Sequence, residues 1–167
     1  MTPQLTRRRF LATSGAVLTV GTTGCLGSPS GGNTGEMSLD EPLSVSEVQQ
    51  YNSPSCSCCE QYASYLRDNV SGSVTDTVPD DITTVKRERG VPEALESCHT
   101  TIVGDYVVEG HVPAPAIATL LDESPSIDGI ALPGMPAGSP GMGGEKTEPF
   151  VVRKFTDGDA GGTFTEI

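Results

Sequence analysis

Ser53-Pro54-Ser55-Cys56-Ser57-Cys58-Cys59-Glu60 packs three of the chain's five cysteines into four positions. Polar, turn-forming residues lead into it, and an amphipathic run follows in which Tyr62, Ala63, Leu66 and Val70 recur at helical spacing. The stretch therefore reads as a cysteine cluster at the mouth of a helix spanning about 57–69. In such a helix Cys59 shares a stripe with Ala63, Leu66 and Val70 and points to the core. Cys56 precedes the first turn, where free N–H groups and the helix dipole favour a thiolate. Cys58 projects in another direction. Three sulfurs fanning from one turn suit a soft cation that takes two to four thiolate ligands.

Working outward, the pattern gives a first strand over Leu43 to Tyr51, then the helix, then a strand over Ser73 to Val78. Pro79-Asp80-Asp81 starts a second, short helix that ends near Gly90, before Val91-Pro92. Glu93 to Thr100 reads as a loop holding Ser97-Cys98-His99. Thr101-Ile102-Val103 and Tyr106-Val107-Val108-Glu109 flank a two-residue Gly-Asp turn and predict a hairpin. A third helix follows over Ala114 to Glu123, with Ile117, Leu120 and Leu121 on its buried face. The order β-α-β-α-β-β-α is that of the thioredoxin and glutaredoxin architecture. The expected fold class is therefore α/β, a thioredoxin-like three-layer fold. An extra C-terminal β segment is built from Ile130–Leu132, Phe150–Phe155 and Thr163–Ile167, around a loop over Asp157–Gly162. It either extends the sheet or packs as an appended ribbon.

In that fold the loop before the third strand lies beside the first helix's N-terminus, so Cys98 approaches Cys56. Cys56, Cys58, Cys59, Cys98 and His99 are the candidate metal ligands. They suit a trigonal copper(I) site or a tetrahedral zinc site. His111, ending a strand, and Met135 and Met142, in a Pro/Gly-rich segment, are secondary candidates. Their ordinary roles would be a structural histidine and loop residues capping apolar surface. As an alternative, Cys56 and Cys59 form a C-x-x-C pair that a thiol–disulfide oxidoreductase would use as nucleophile and resolving thiol. An inert disulfide-stapled scaffold is the third reading, although the adjacent Cys58 and Cys59 are poorly placed to bridge each other.

The N-terminus reads as an address. Thr6-Arg7-Arg8-Arg9-Phe10-Leu11 carries a twin-arginine signal, and the apolar stretch Leu11–Val20 is too short for a membrane span. Thr22-Thr23-Gly24-Cys25 resembles a lipobox, which makes Cys25 the lipidated residue after removal of residues 1–24. Residues 25–42 are a flexible tether, and 43–167 are the folded domain. The expected location is the outer face of the cytoplasmic membrane, held by a lipid anchor.

The formal net charge is -12. Residues 1–24 hold three of the 10 basic residues and none of the 22 acids, so the remainder is more acidic still. Such a surface excludes nucleic acid as a partner. It fits solvation in high salt.

Several motifs together resemble a known family. Ser53-Pro54-Ser55-Cys56-Ser57-Cys58-Cys59, Gly90-Val91-Pro92, Ser97-Cys98-His99-Thr100, Glu109-Gly110-His111-Val112-Pro113 and Pro133-Gly134-Met135-Pro136-Ala137-Gly138-Ser139-Pro140-Gly141-Met142 occur in order. They resemble the CopG-like family of exported metal-binding proteins, which is distinct from the DNA-binding repressors of the same name. The resemblance runs from about Val45 to Phe155. It implies a thioredoxin-like fold and an association with copper or other heavy-metal resistance. A copper transporter or cuproprotein is the expected protein partner. It brings no established reaction.

Overall fold

The computed structural model describes residues 37–167. The twin-arginine stretch, the lipobox with Cys25 and most of the tether lie outside the described residues. Seven strands form one mixed sheet in the order β2-β1-β3-β4-β5-β6-β7. In chain order the elements are β1 (Glu47–Asn52), α1 (Ser57–Asn69), β2 (Ser73–Thr77), α2 (Ile82–Glu88), a 3-10 turn (Glu93–Leu95), β3 (His99–Val103), β4 (Tyr106–Gly110), α3 (Ala114–Glu123), β5 (Gly129–Leu132), β6 (Val151–Thr156) and β7 (Asp159–Glu166). The expected order of the first seven elements is the one observed.

β1 and β2 run parallel, as do β4 and β5, while β3 is antiparallel to both β1 and β4. Side-chain alternation along these strands divides the interior in two. Val48, Val103, Val108, Ile130 and Leu132 face α1 and α3, where they pack on Tyr62, Leu66, Ile117 and Leu120. Val107, Ala131, Phe155 and Ile102 face the other way and meet Val91 and Leu95 beyond α2. The result is helix, sheet, helix.

α1 begins at Cys56, whose backbone is extended and whose side chain makes no capping bond. Its buried stripe is Cys59, Tyr62, Ala63 and Leu66. α2 is capped conventionally: the Asp81 carboxylate accepts from the Thr83 N–H at 2.9 Å and from the Thr84 hydroxyl at 2.8 Å.

Three boundaries differ from expectation. The first strand starts at Glu47 rather than Leu43, because Leu43 instead forms an isolated parallel bridge with Val70. His99 and Thr100 belong to β3 rather than to a loop, since β1 extends to Asn52 and pairs there with His99. The loop expected over Asp157–Gly162 is a two-residue turn. Asp157 and Gly158 both have positive φ (54° and 79°), the requirement of a type I′ hairpin, so β7 already begins at Asp159. The C-terminal segments extend the sheet, with β6 antiparallel to β5 and β7 antiparallel to β6. Among the described residues no helix is long and apolar enough to cross a membrane.

Candidate metal centre

The turn between β1 and α1 is tied to the start of β3 by main chain. Ser53 donates both its N–H (2.9 Å) and its hydroxyl (2.6 Å) to the Cys98 carbonyl. This closes a gap of 40 positions between Cys58 and Cys98, whose sulfurs lie 3.8 Å apart. Beneath the helix start, the fully buried Gln50 donates from Nε2 to the Cys59 carbonyl at 2.8 Å and to Asn52 Oδ1 at 2.6 Å. The first turn of α1 is thus fixed from below by β1 and from the side by β3.

Cys56 and Cys59 are joined by a disulfide, with Cα atoms 5.3 Å apart. One helical turn brings positions 56 and 59 to this spacing, which lies within the range a disulfide spans. Cys58 and Cys98 are free. Cys58 Sγ is 3.4 Å from Cys56 Sγ.

Two sets of donor atoms meet here, and Cys98 belongs to both. Cys56, Cys58, Cys59 and Cys98 form one; Cys98, His99 and His111 form the other, with the ligand atoms of each set within 4.8 Å of one another. Cys98 Sγ lies 3.4 Å from His99 Nδ1 and 3.3 Å from His111 Nε2.

His111 reaches the cluster through a bend in the chain. Strand alternation would send it to the α2 face along with Val107 and Glu109. Gly110 has φ of +76°, a left-handed conformation that turns the chain back and brings His111 to the α1 face. There its ring meets Tyr62 edge-on (centroids 5.4 Å apart) and His99 edge-on (4.7 Å). The Pro140 carbonyl lies 2.7 Å from His111 Nδ1. A carbonyl can only accept, so Nδ1 carries the proton and the Nε2 lone pair points at Cys98 Sγ.

Pro140 is delivered by the Pro/Gly-rich segment, which lies across the start of α1. A Cβ at Gly141 would stand 2.7 Å from the Tyr62 nitrogen and 3.0 Å from the Cys58 carbonyl oxygen, and φ there is +78°. Only glycine permits so close a backbone approach. In the same segment Met142 is half-buried and donates its N–H to Ser139 O, while Met135 is 41% exposed.

Burial shapes the protonation of the site. Desolvation, and then the neighbouring Cys58, push the Cys98 thiol up to about 11. Burial lowers His99, with further contributions from His111 and Lys86, and burial lowers His111. Both rings are held neutral, with lone pairs available. These donors fit a soft cation: thiolate sulfur and neutral imidazole in a partly dry pocket, where a positive ion would offset the cost of ionising Cys98.

The lowered imidazoles carry a pH prediction. Between their folded values and the ordinary value of about 6.5, the unfolded chain binds more protons than the folded one. Their contribution to stability is complete above about 6.5 and declines as the pH falls toward the lowered values. Urea unfolding of the metal-free protein from about pH 7.5 down to pH 5 should show this decline. His99→Gln together with His111→Gln should remove it.

Two solved structures described as copper resistance protein copG are similar to this chain. Form 1 is 37% identical with a TM-score of 0.65, covering 74% of this chain and 98% of its own. Form 2 is also 37% identical, with a TM-score of 0.64, covering 76% and 99% respectively. The chain belongs to the CopG-like family. Residues 95–142 also match the family described as "Protein of unknown function, DUF411". Among curated proteins none matches the chain. The DUF411 segment contains Cys98, His99, His111 and the Pro140 carbonyl, and omits the three-cysteine turn. The relationship to CopG proteins and the cysteine cluster together suggest copper-related metal binding.

Sequence reasoning ranked His111 as a secondary candidate because it saw a strand end. The signal that places it is Gly110, a glycine immediately before a histidine where a strand closes. Gln50 gave no signal, because a glutamine beside a second glutamine reads as polar surface, although it shares the strand face of Val48.

Proposed function

We propose that this protein binds copper(I) at the outer face of the cytoplasmic membrane, to sequester it or hand it on. The observation that carries this reading is the Cys98 sulfur, shared between a set of four cysteines and a set with two neutral imidazoles. Export by the twin-arginine route, a lipid anchor at Cys25 and delivery to a copper transporter or cuproprotein complete the reading, supported by the N-terminal motifs. The element order and the β2-β1-β3-β4 sequence of strands support its thioredoxin-like character.

Copper(I) is favoured over zinc because the donors are mostly soft sulfur and the named structural relatives are copper resistance proteins. Cys58, Cys98, His99 and His111 stand ready with the Cys56–Cys59 disulfide intact. Reduction of that disulfide opens the full sulfur set.

The test compares anaerobic copper(I) uptake by the reduced protein and by the disulfide form, in competition with a chromophoric chelator. The reduced protein should bind more tightly, and in weak buffer at neutral pH it should release about one proton for each thiol that becomes a ligand. Absence of uptake by the reduced protein would sink the proposal.

One observation favours a second reading, thiol–disulfide exchange. The Cys56–Cys59 disulfide sits at the start of α1, with Cys59 fully buried and Cys56 half-exposed, so Cys56 is the sulfur open to attack. A substrate dithiol would supply two electrons and two protons to reduce it. Turnover of a test disulfide that depends on Cys56 would support this reading, and a rate no higher than that of free dithiol would dismiss it.

A further inference from the structure

The motifs around the cluster contain residues that are not themselves donors: Ser97 before Cys98, Thr100 after His99, and Glu109 two positions before His111. All three meet on the opposite face of the sheet from the sulfurs. Thr100 and Glu109 are direct cross-strand partners on β3 and β4, and both are fully buried. Glu109 Oε2 accepts from the Thr100 hydroxyl at 2.6 Å, and Oε1 accepts from the Ser97 backbone N–H at 2.5 Å. Lys86 of α2, 2% exposed, pairs with Glu109 Oε1 and donates to Thr100 Oγ1 at 3.0 Å. Ser97 also stands against the backbone of Gly110: a Cβ there would lie 2.9 Å from Ser97 Cβ and Oγ.

A buried ion pair is weak support for stability, because apolar residues of similar volume often replace one without loss. What this pair does is local. Glu109 holds the N–H of Ser97, which immediately precedes Cys98. It grips the neighbour of His99 through Thr100, and it sits on the strand end that delivers His111. One carboxylate thus ties together the three chain segments that bring Cys98 Sγ within 3.4 Å of both rings.

We infer that Glu109 is a positioning residue for the metal centre. Its side-chain oxygen sets the height of Cys98 through the Ser97 N–H, and Lys86 offsets the buried charge. The inference rests on the proposed copper(I) site and deepens it.

The test uses the reduced full-length protein and three variants. Lys86→Met with Glu109→Gln removes both charges but keeps an oxygen acceptor for Ser97. Lys86→Met with Glu109→Leu removes the acceptor as well. Ser97→Pro deletes the N–H, together with the hydroxyl 4.0 Å from Cys98 Sγ, and leaves the ion pair; the extended backbone of Glu96 (φ -58°, ψ 141°) suits a following proline. Urea unfolding reports folding, and chelator competition reports copper(I) affinity. Imidazole 15N shifts in the metal-free protein report the placement of Cys98 beside His99 and His111.

The Gln variant should keep affinity within about threefold of wild type and leave the 15N shifts in place. The Leu and Pro variants should remain folded, lose about 10–100-fold in affinity, as outer-shell losses do, and show moved shifts. Unmoved shifts in the Leu and Pro variants would overturn the inference, as would equal losses in the Gln and Leu variants. If no form of the protein takes up copper(I), the proposed function fails, while the 15N shifts still decide the positioning role.

Discussion

Cys98→Ser lowers the copper(I) affinity of the reduced protein by more than about 100-fold, beyond the 10–100-fold that loss of an outer-shell contact costs. The expectation follows from geometry. Every other donor belongs to one of the two sets, while Cys98 Sγ lies 3.8 Å from Cys58 Sγ and within 3.4 Å of both rings. Serine keeps the size and the hydrogen-bonding capacity of the side chain, and the Ser53 bonds go to the backbone carbonyl. The fold should therefore survive the change. Cys58→Ser should cost less, because it leaves Cys98 with both imidazoles. Chelator competition under anaerobic conditions measures both. An affinity for Cys98→Ser within about threefold of wild type would show that the sulfurs bind without a shared centre.

Tyr62→Ala is the largest stability loss expected from a single change near the site, about 3–5 kcal/mol by analogy with other buried aromatic truncations. Tyr62 is fully buried. Its ring lies tilted against His99 with centroids 4.5 Å apart and meets His111 edge-on, and its hydroxyl donates to the Val112 carbonyl at 2.8 Å. Removing it opens a cavity between α1 and the two histidines. Since small domains are stable by roughly 5–15 kcal/mol, such a loss can consume much of the total. Tyr62→Phe keeps the packing and leaves only the Val112 carbonyl short of a donor, at a cost of about 1–3 kcal/mol. Urea unfolding midpoints should rank the two in that order. Equal losses would assign the role of Tyr62 to its hydroxyl.

The two long helices were legible because their signals are local. The apolar stripe of residues 57–69 repeats at the helical period, and the observed helix has those limits. The third helix was equally plain: Pro113 precedes it, and Ile117 and Leu120 mark its buried face. The hairpin over β3 and β4 announced itself through Gly104 and Asp105. The hairpin over β6 and β7 was read with too long a loop, although Asp157-Gly158 is as good a turn pair. The glycines at 161 and 162 drew the loop outward, yet they are accommodated in β7 at the sheet edge, where Arg153 donates to the Gly161 carbonyl at 2.8 Å.

At the site, the crowding of Cys56, Cys58 and Cys59 needs no structure to be noticed. Cys98 could be brought to them from the expected fold, because an antiparallel strand beside β1 starts near the turn that ends β1. The spacing offered Cys56 and Cys59 as a redox pair only as the alternative to metal ligation, and their disulfide is seen in the structure. Lys86, one of the chain's three lysines, carried no local mark of burial. Its place is set by Glu109, 23 positions away and on another element.

The sequence by itself determined the elements, their order and the three-cysteine turn, because periodicity, capping and turn chemistry act over a few residues. The tertiary structure alone decided that His111 faces the Cys98 sulfur. His111 joins Cys98 because a left-handed Gly110 reverses its strand face and the Pro140 carbonyl fixes its tautomer. Ser97 is held because a carboxylate on the next strand reaches its N–H. Those are contacts between side chains and backbone far apart in the chain, and no local pattern encodes a meeting of that kind.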